Sequence, residues 1–293
     1  MHRIAEPDDL RRLLRRREPV VLRPPRPPID VLPFATVLGL LDDGLLAHPY
    51  IQLVRREGPV APEQFCPPRV FLDRIIAGYA DAGAVRRLVG EEGCTLLLRY
   101  VDQWHRGVRE LTESIAQQLD RQVEAFYFVT PPGTTGRPVH RDDADVLVVQ
   151  MAGVKQWTVH AGPADGAWEP SRVDEPGPVL LETGLHPGEV LYVPRGHAHS
   201  ATAGAEGVSV HLSLTIREAG AAHLFAMLES VLTQEADLPP RPLDDAELRA
   251  TAAELLARMR SRLDEVTPQG LLAAARAAMR PDRGSAVPDL MLG

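Results

Sequence analysis

The sequence predicts an α+β chain dominated by β-strands, with helices before the strands and a helical region after them. From Val123 onward, short runs rich in β-branched and aromatic residues alternate with Gly, Pro and Asp, as in VEAFYFVT and VSVHLSLTI. Before Val123 several longer stretches have the apolar spacing of helices, and after Ile216 helical spacing returns. Many short strands in succession favour a sandwich or a barrel.

Composition limits the classes of protein that the chain can be. Its 293 residues, 44% of them hydrophobic, can bury one sizeable core with a smaller appendage, or two modest domains. A net charge of −8 gives no overall basic field for nucleic acid. Cys66 and Cys94 are isolated, so neither a disulfide framework nor a zinc knuckle is expected. No stretch approaches the roughly 20 apolar residues that cross a bilayer, and the expected location is the cytoplasm.

The residues before Val123 predict four helices and three strands. A first helix through DLRRLLRRR can be capped by Asp8 or Asp9, and the proline-rich PPRPP ends the strand VVLRP that follows it. Further helices are expected at FATVLGLLDD, VFLDRIIAGYA and ELTESIAQQLD. IQLVRRE and CTLLLRY have the character of strands.

The later half predicts a run of strands and then a helical hairpin. The strands are DVLVVQMAG, KQWTVHAG, EVLYVPRG and HSATA, together with the two quoted above. Apolar residues then recur at helical spacing over 224–232 and over 248–259, with LPPRPL as the break between them. The apolar stripe of this hairpin can pack on the barrel or on a second copy of the chain. We expect residues 217–280 to be helical and residues 281–293 to be a flexible tail.

The stretch GRPVHRDDADVLVVQ places charged residues at the start of an apolar strand, where burial costs several kcal/mol unless something compensates the charge. Residues i and i+2 of a strand share a face, so His140 and Asp142 present an imidazole and a carboxylate together. HPGEVLYVPRGHAHSA offers a third ligand, His197 or His199. Two histidines and one carboxylate suit a non-haem Fe(II) site with open positions. Asp143 and Asp145 are expected to face solvent or Arg141 and Arg137.

The segments TPPGTTGRPVHRDDADVLVVQMAGVKQWTVH, HPGEVLYVPRGHAHSAT and VSVHLSLTI resemble the JmjC-type cupin family of ribosomal oxygenases, the cupin-4 proteins. These are Fe(II)- and 2-oxoglutarate-dependent protein hydroxylases, and the resemblance covers roughly residues 8–265. It implies a double-stranded β-helix within a catalytic domain of residues 1–216. It also implies His140 and Asp142 as catalytic metal ligands. The family pattern P-R-G-x-x-H then favours His199 as the third ligand and leaves His197 at the pocket mouth or in solvent.

The resemblance assigns further roles near this site. Lys155 matches the basic residue that pairs with the distal carboxylate of 2-oxoglutarate, and a dianion needs such a cation. His211 lies at a family position close to the metal pocket, although a histidine packed in its strand is an equally good account, and Ser209 shares its face and could hydrogen-bond the co-substrate. Related proteins often have asparagine where this chain has Phe126, and we expect the usual C-terminal winged-helix module to be missing. Family members dimerise through a helical region corresponding to residues 217–265, which predicts a homodimer here.

Several functions stay open at this point. The first is hydroxylation of a protein or peptide side chain, in a ribosomal protein or a biosynthetic precursor peptide, and the acidic chain could steer a basic partner toward the barrel. A small-molecule hydroxylase would use the same chemistry. A metal cupin such as a Mn or Zn isomerase would use the histidines without Lys155, and a partner-binding barrel would need neither.

Overall fold

The computed structural model of the protein describes residues 3–233, 238, 241 and 243–280, so the predicted tail at 281–293 lies outside the described residues. The chain forms two compact units. The first runs to Leu119 and continues from Val123 to Arg217, and the second contains Asp120–Gln122 and begins again at Glu218. The predicted domain boundary, between residues 216 and 217, falls one residue before this division.

The helices of the first unit precede its main strands. They are α1 (Pro7–Arg16), α2 (Phe34–Asp42), α3 (Ala82–Gly90), α4 (Val101–Trp104) and α5 (Arg106–Leu119), with a 3₁₀ turn at Pro62–Gln64. α1 begins at Pro7, whose fixed φ and missing N–H suit a first helical position. Glu6 is its N-cap and makes no side-chain capping bond, so the predicted cap at Asp8 or Asp9 is wrong. Both aspartates lie in the first turn, where their negative charges interact favourably with the positive end of the helix dipole.

Two antiparallel sheets form the barrel and confirm the predicted β-rich, double-stranded β-helix. The first has the order β1-β13-β9-β15-β7-β6-β2-β3 and the second the order β11-β8-β14-β10-β12. Before the barrel strands come β1 (Val20–Leu22), β2 (Ile51–Arg55), β3 (Gly58–Pro59), β4 (Arg69–Phe71), β5 (Arg74–Ile76) and β6 (Thr95–Leu98). The barrel strands are β7 (Gln122–Thr130), β8 (His140–Arg141), β9 (Asp145–Ala152), β10 (Lys155–His160), β11 (Ser171–Arg172), β12 (Val179–Leu185), β13 (Val190–Val193), β14 (His199–Ala203) and β15 (Ser209–Arg217).

The segment VFLDRIIAGYA is not a helix, and the prediction of one was wrong. It contains the hairpin of β4 and β5, in which Phe71 pairs with Arg74. Leu72 and Asp73 form the connecting turn with φ of 45° and 61°, in the left-handed region that two-residue hairpin turns require. Leucine rarely adopts this conformation, so the sequence Leu72–Asp73 does not indicate a turn. α3 and β12 were also not predicted.

The cavity lies between the two sheets because each barrel strand alternates its faces. On β7, Val123, Ala125, Tyr127 and Val129 are buried in the main core, which also contains residues of α2, α3 and α5. Phe126 and Phe128 face the opposite side and line the cavity. A smaller apolar cluster joins β9, β10, β12 and β13 and closes the space between the sheets: it contains Val146, Val148, Trp157, Val159, Leu185, Leu191 and Val193.

The second unit contains three helices in its described residues: α6 (Ala221–Thr233), α7 (Asp245–Glu265) and α8 (Pro268–Met279). α6 and α7 are the two predicted helices, and α8 was not predicted as a separate element. The predicted break LPPRPL lies partly outside the described residues. Asp244 caps α7 by accepting bonds from two backbone amides, and Thr267 caps α8. Within the described chain, no helix has the length and apolar content needed to span a membrane.

Candidate metal centre and its cavity

Two strands of the five-stranded sheet bring two histidines face to face. His140 of β8 pairs directly with His199 of β14, and the centroids of their rings are 4.4 Å apart. Asp142 follows β8, with its carboxylate oxygens 3.7 Å from Nε2 of His140 and 3.5 Å from Nε2 of His199. The three ligand atoms lie within 4.8 Å of one another. This donor set of two imidazoles and one carboxylate fits a divalent transition metal.

Backbone carbonyls orient both imidazoles. Nδ1 of His140 lies 2.8 Å from the carbonyl oxygen of Pro138, and Nδ1 of His199 lies 3.0 Å from that of His197. A ring that donates from Nδ1 leaves the lone pair of Nε2 free, and Nε2 is the atom that points at Asp142 in both residues. The hydrogen bonds thus fix the tautomer that a metal requires.

The surroundings also set the charge of the ligands. Burial, and then the proximity of His199, lower the pKa of His140 to about 4, so this imidazole is neutral at pH 7. Burial alone would raise the pKa of Asp142. The neighbouring His199, followed by His140 and Arg137, outweighs burial and holds that pKa below its usual range. A neutral imidazole and an ionised carboxylate are the forms that bind metal.

His197 does not occupy the position expected for it. Its ring is buried and is not among the residues that line the cavity. It packs against Gly162, where an added Cβ would come within 2.7 Å of the ring, so only glycine fits there. The expectation that His197 lies at the mouth or in solvent is therefore wrong, and its backbone carbonyl is the part that serves His199.

The two aspartates after Asp142 have different partners. Asp143 pairs with Arg195 at 2.6 Å and lines the cavity. Asp145 accepts hydrogen bonds from the hydroxyl of Tyr192 at 2.6 Å and from the backbone N–H of Arg195 at 3.1 Å. The expectation that Asp145 faces solvent or the side chains of Arg141 and Arg137 is wrong. Its carboxylate instead joins the start of β9 to the end of β13.

Lys155 is buried within the cavity. Its Nζ donates to Oγ1 of Thr130 at 2.9 Å, and burial lowers the pKa of the ammonium to about 7. Oγ1 of Thr95 lies 3.5 Å from the same Thr130 oxygen. Among the described residues, the hydrogen-bond partner of this buried cation is a neutral hydroxyl. Its charge is therefore incompletely compensated, which is the condition in which an anionic ligand binds well.

Aromatic rings line the cavity beside Lys155 and His199. His211 is buried and stacks on Phe128, with centroids 4.6 Å apart, and Trp157 meets His211 edge-on at 5.8 Å and His199 at 6.0 Å. Burial, and then the charge of Lys155, lower the pKa of His211, which is thus neutral. Nε1 of Trp157 and Nδ1 of His211 are buried without a hydrogen-bond partner among the described residues.

Ser209 lies outside the lining of the cavity. Its hydroxyl accepts a hydrogen bond from Nε2 of Gln150 at 2.9 Å. A direct bond between Ser209 and a co-substrate stays a prediction.

The cavity has a volume of about 640 Å³, within the usual range of small-ligand sites. It contains the three candidate ligands, Lys155 and His211, and it extends past Phe128 along the strands β7, β6 and β2. Thr130 and Trp157 were not predicted as parts of the site. A threonine ending an apolar strand and a tryptophan two residues after a buried lysine were the only signals for them.

Comparison with known proteins agrees with this architecture. Residues 102–224 match the family model described as the JmjC domain. Among curated relatives, the bifunctional lysine-specific demethylase and histidyl-hydroxylase NO66 of Aedes aegypti is 30% identical over 133 residues, which are 43% of this chain and 21% of that protein. The protein of the same name from Drosophila simulans is 27% identical over 157 residues, 50% of this chain and 18% of that one. The chain thus spans about a fifth of the length of these relatives.

Solved structures share the fold. The X-ray structure of Escherichia coli ycfD superposes with a TM-score of 0.58 at 21% identity, covering 90% of this chain and 72% of that one. The structure of YcfD, a ribosomal oxygenase from Escherichia coli, in complex with cobalt and 2-oxoglutarate gives a TM-score of 0.54 at 21% identity, with 88% and 70% covered.

Proposed function

We propose that this chain is an Fe(II)- and 2-oxoglutarate-dependent oxygenase that hydroxylates a side chain of a protein or peptide. The observation that carries the proposal is the convergence of His140, Asp142 and His199 in one cavity with a buried, weakly compensated Lys155. The relatives named hydroxylases and the fold of a ribosomal oxygenase with 2-oxoglutarate bound support it. His140, Asp142 and His199 are the proposed metal ligands and the catalytic residues.

Bound Fe(II) would supply the oxidising chemistry: 2-oxoglutarate, O₂ and a C–H bond become succinate, CO₂ and a C–OH group. The residues of the chain bind and orient the participants. Lys155, held by Thr130, would bind the distal carboxylate of 2-oxoglutarate, and the neutral His211 would lie beside it. Trp157, Val146, Val148 and Val193 form apolar walls that limit the entry of water.

The choice of a protein or peptide substrate depends on the relatives, whose names and titles refer to lysine demethylation, histidyl hydroxylation and the ribosome. The cavity continues beyond the metal site, which leaves room for a substrate side chain next to 2-oxoglutarate. We further propose that the chain acts in the cytoplasm, binds no nucleic acid directly and forms a homodimer through residues 217–265. Exposed apolar side chains on α6 and α7 support the dimer.

The test incubates iron-loaded protein with 2-oxoglutarate and O₂, in parallel with a ribosomal-protein pool, a precursor-peptide pool and a metabolite extract. We expect succinate formation that depends on the polypeptide pool, together with a product heavier by one oxygen atom. If only a small molecule gained the oxygen atom, the proposed substrate class would be wrong and the oxygenase proposal would stand. Metal binding without any 2-oxoglutarate turnover would favour an isomerase-like metal cupin, and the absence of both would favour a partner-binding barrel.

A further inference from the structure

One side of the cavity is formed by residues that have no role in the proposed iron chemistry. It is built from Gln52 and Val54 of β2, Leu97 of β6, Arg99 after β6, and Phe126 and Phe128 of β7, which together we call the extension wall. All six side chains are partly exposed, whereas their neighbours Ile51, Leu53, Leu96 and Leu98 are buried in the core behind the sheet. The extension wall is therefore the open face of the sheet.

Strand register shows that the extension wall is continuous with the co-substrate region. Gln52 pairs with Leu97, and Leu97 pairs with Phe128, so these residues form one row across three strands. The row continues to β15, because Phe128 stacks on His211 at 4.6 Å. A segment lying along this row would extend from the neighbourhood of Lys155 toward the sheet edge at β3.

A second row contains the charge. Leu98 pairs with Tyr127, so Arg99 comes opposite Phe126 at the next position. The guanidinium of Arg99 lies 5.3 Å from the ring centroid of Tyr100, and that ring lies 5.2 Å from the ring of Phe126. Arginine packed on an aromatic ring keeps its donors available in a defined place.

The charged groups of the cavity differ in how fully they are paired. Arg217 pairs with Glu124 at 3.0 Å and Asp143 pairs with Arg195 at 2.6 Å. Arg137 lies 3.5 Å from the carboxylate of Asp142. Lys155 is assigned to the co-substrate. Among the described residues, no carboxylate lies within ion-pairing distance of Arg99, so its cation is available to a ligand.

We propose that the extension wall binds an acidic segment of the polypeptide substrate, in which an apolar or aromatic side chain packs on Leu97, Phe126 and Phe128 and a neighbouring carboxylate pairs with Arg99. This inference rests on the proposed function and names the class of substrate sequence. It opposes the steering of a basic partner that the net charge of −8 suggests, because the charge at the site, rather than the charge of the whole chain, meets the bound segment. A nucleic acid would need several free cations for successive phosphates, and one guanidinium among apolar side chains fits a peptide better.

The test uses three fluorescein-labelled peptides of equal length with the same phenylalanine-containing centre, flanked by glutamate, glutamine or lysine. Anisotropy is measured under nitrogen with Fe(II) and 2-oxoglutarate present, so that binding is separated from turnover. We expect the glutamate peptide to bind about tenfold or more tightly than the glutamine peptide, and the lysine peptide to bind most weakly. This comparison needs no variant of the protein.

Variants then locate the effect. Arg99→Gln should remove the preference for glutamate, and Arg99→Lys should restore most of it. Arg56→Gln is the matched control, because this substitution removes the same charge as Arg99→Gln. Arg56 is exposed in the turn between β2 and β3 and lies outside the cavity. Melting curves verify that each variant is folded.

Outcomes separate this inference from the proposed function. Equal or undetectable binding of the three peptides, tighter binding of the lysine peptide, or an oligothymidylate that displaces the glutamate peptide with equal affinity would overturn the acidic-segment inference. Peptides that bind with the expected preference but never gain an oxygen atom would refute the oxygenase alone. Hydroxylated products from a peptide pool, sequenced by mass spectrometry without enrichment of Asp or Glu near the modified residue, would refute this inference alone.

Discussion

The two units of the chain differ in how completely each buries its apolar residues. The first unit contains almost all buried side chains of the described protein, and its sheets enclose charged residues that are hydrogen-bonded or paired. In the second unit α6 and α7 contain no buried residue and α8 contains only Ala275, while Phe225 is 72% exposed and Leu256 51%.

This difference separates two tasks. The first unit has the core needed to hold a site with fixed geometry, since buried imidazoles and a buried ammonium require surroundings that do not move. The second unit presents apolar side chains at helical surfaces, as subunit interfaces do. Substitutions in the first unit should therefore alter metal binding and turnover without altering the mass of the assembly in solution. Substitutions in the second unit should alter that mass without altering metal binding or turnover.

The largest effect is expected from the metal ligands. His140→Ala and His199→Ala each remove one of three donors and should weaken metal binding by more than about a hundredfold, beyond the range seen for outer-shell partners. Turnover of 2-oxoglutarate should disappear. Titration with Fe(II) or Co(II) under nitrogen measures the binding directly.

The control for this prediction is His197→Ala, which keeps the backbone carbonyl that orients His199. It should retain much of the metal affinity, although the lost packing lowers the melting temperature. Loss of metal in His197→Ala with retention in His199→Ala would reverse the ligand assignment.

Lys155→Ala should raise the KM for 2-oxoglutarate by about ten- to a hundredfold, since a hydrogen bond to a charged group contributes about 1.5 to 3 kcal/mol. Metal affinity should stay close to that of the unaltered protein. Gln156→Ala is the matched control, because Gln156 is the exposed neighbour on the other face of β10. Steady-state kinetics of both variants measure the KM. An unchanged KM in Lys155→Ala would count against the oxygenase and favour another metal cupin.

The affinity for 2-oxoglutarate should depend on pH through Lys155. The pKa of this residue is about 7 in the folded protein, compared with 10.5 for an ordinary lysine, so above pH 7 the free site is mostly neutral and must take up a proton to bind a dianion. We expect the affinity to fall by about tenfold for each pH unit above 7. Calorimetry in buffers of different ionisation enthalpy would report the proton uptake, which Lys155→Arg should abolish. An affinity that stays constant between pH 6.5 and 9 would contradict the role of Lys155.

The same shift affects stability. The unfolded chain keeps the lysine proton up to its ordinary pKa, whereas the folded chain releases it near 7. Burial of Lys155 therefore costs stability in full below pH 7, and this cost decreases as the pH rises toward 10.5.

The smallest expected effect is a twofold difference in molecular mass between a homodimer and a single chain. If residues 217–265 form a homodimer, light scattering at micromolar concentration should give twice the mass of one chain. Phe225→Asp combined with Leu256→Asp should restore the monomer without changing metal affinity. Leu45→Asp serves as the control, because Leu45 is 75% exposed in the first unit. A monomeric unaltered protein would remove the dimer proposal.

Much of the fold could be predicted from sequence wherever local patterns agree with tertiary packing. β7, β9, β10 and β13–β15 were found because their letters alternate or form β-branched runs between Gly, Pro and Asp. The hairpin of β4 and β5 was mistaken for a helix because its turn depends on Leu72 in a left-handed conformation, which composition does not signal.

The candidate site was predictable only in part. The spacing of His140 and Asp142 and the pattern around His199 identified the cluster. The structure adds that Asp142 lies after β8, and that the pairing of β8 with β14 brings the histidines together. Burial of Asp145 depends on a tyrosine 47 positions away, and such long-range partners leave no local signal.

The position of the two histidines has a consequence for the dynamics of the barrel. β8 is two residues long, meets β14 at the His140–His199 pair and pairs with the equally short β11 on its other edge, so only short ladders hold the segment leading into Asp142. A metal ion held by these residues would fasten β8 to β14 as a cross-link does. Amide hydrogen exchange over residues 138–144 should consequently slow when metal is added, and proteolytic nicking there should report how much of the protein carries metal in a cell.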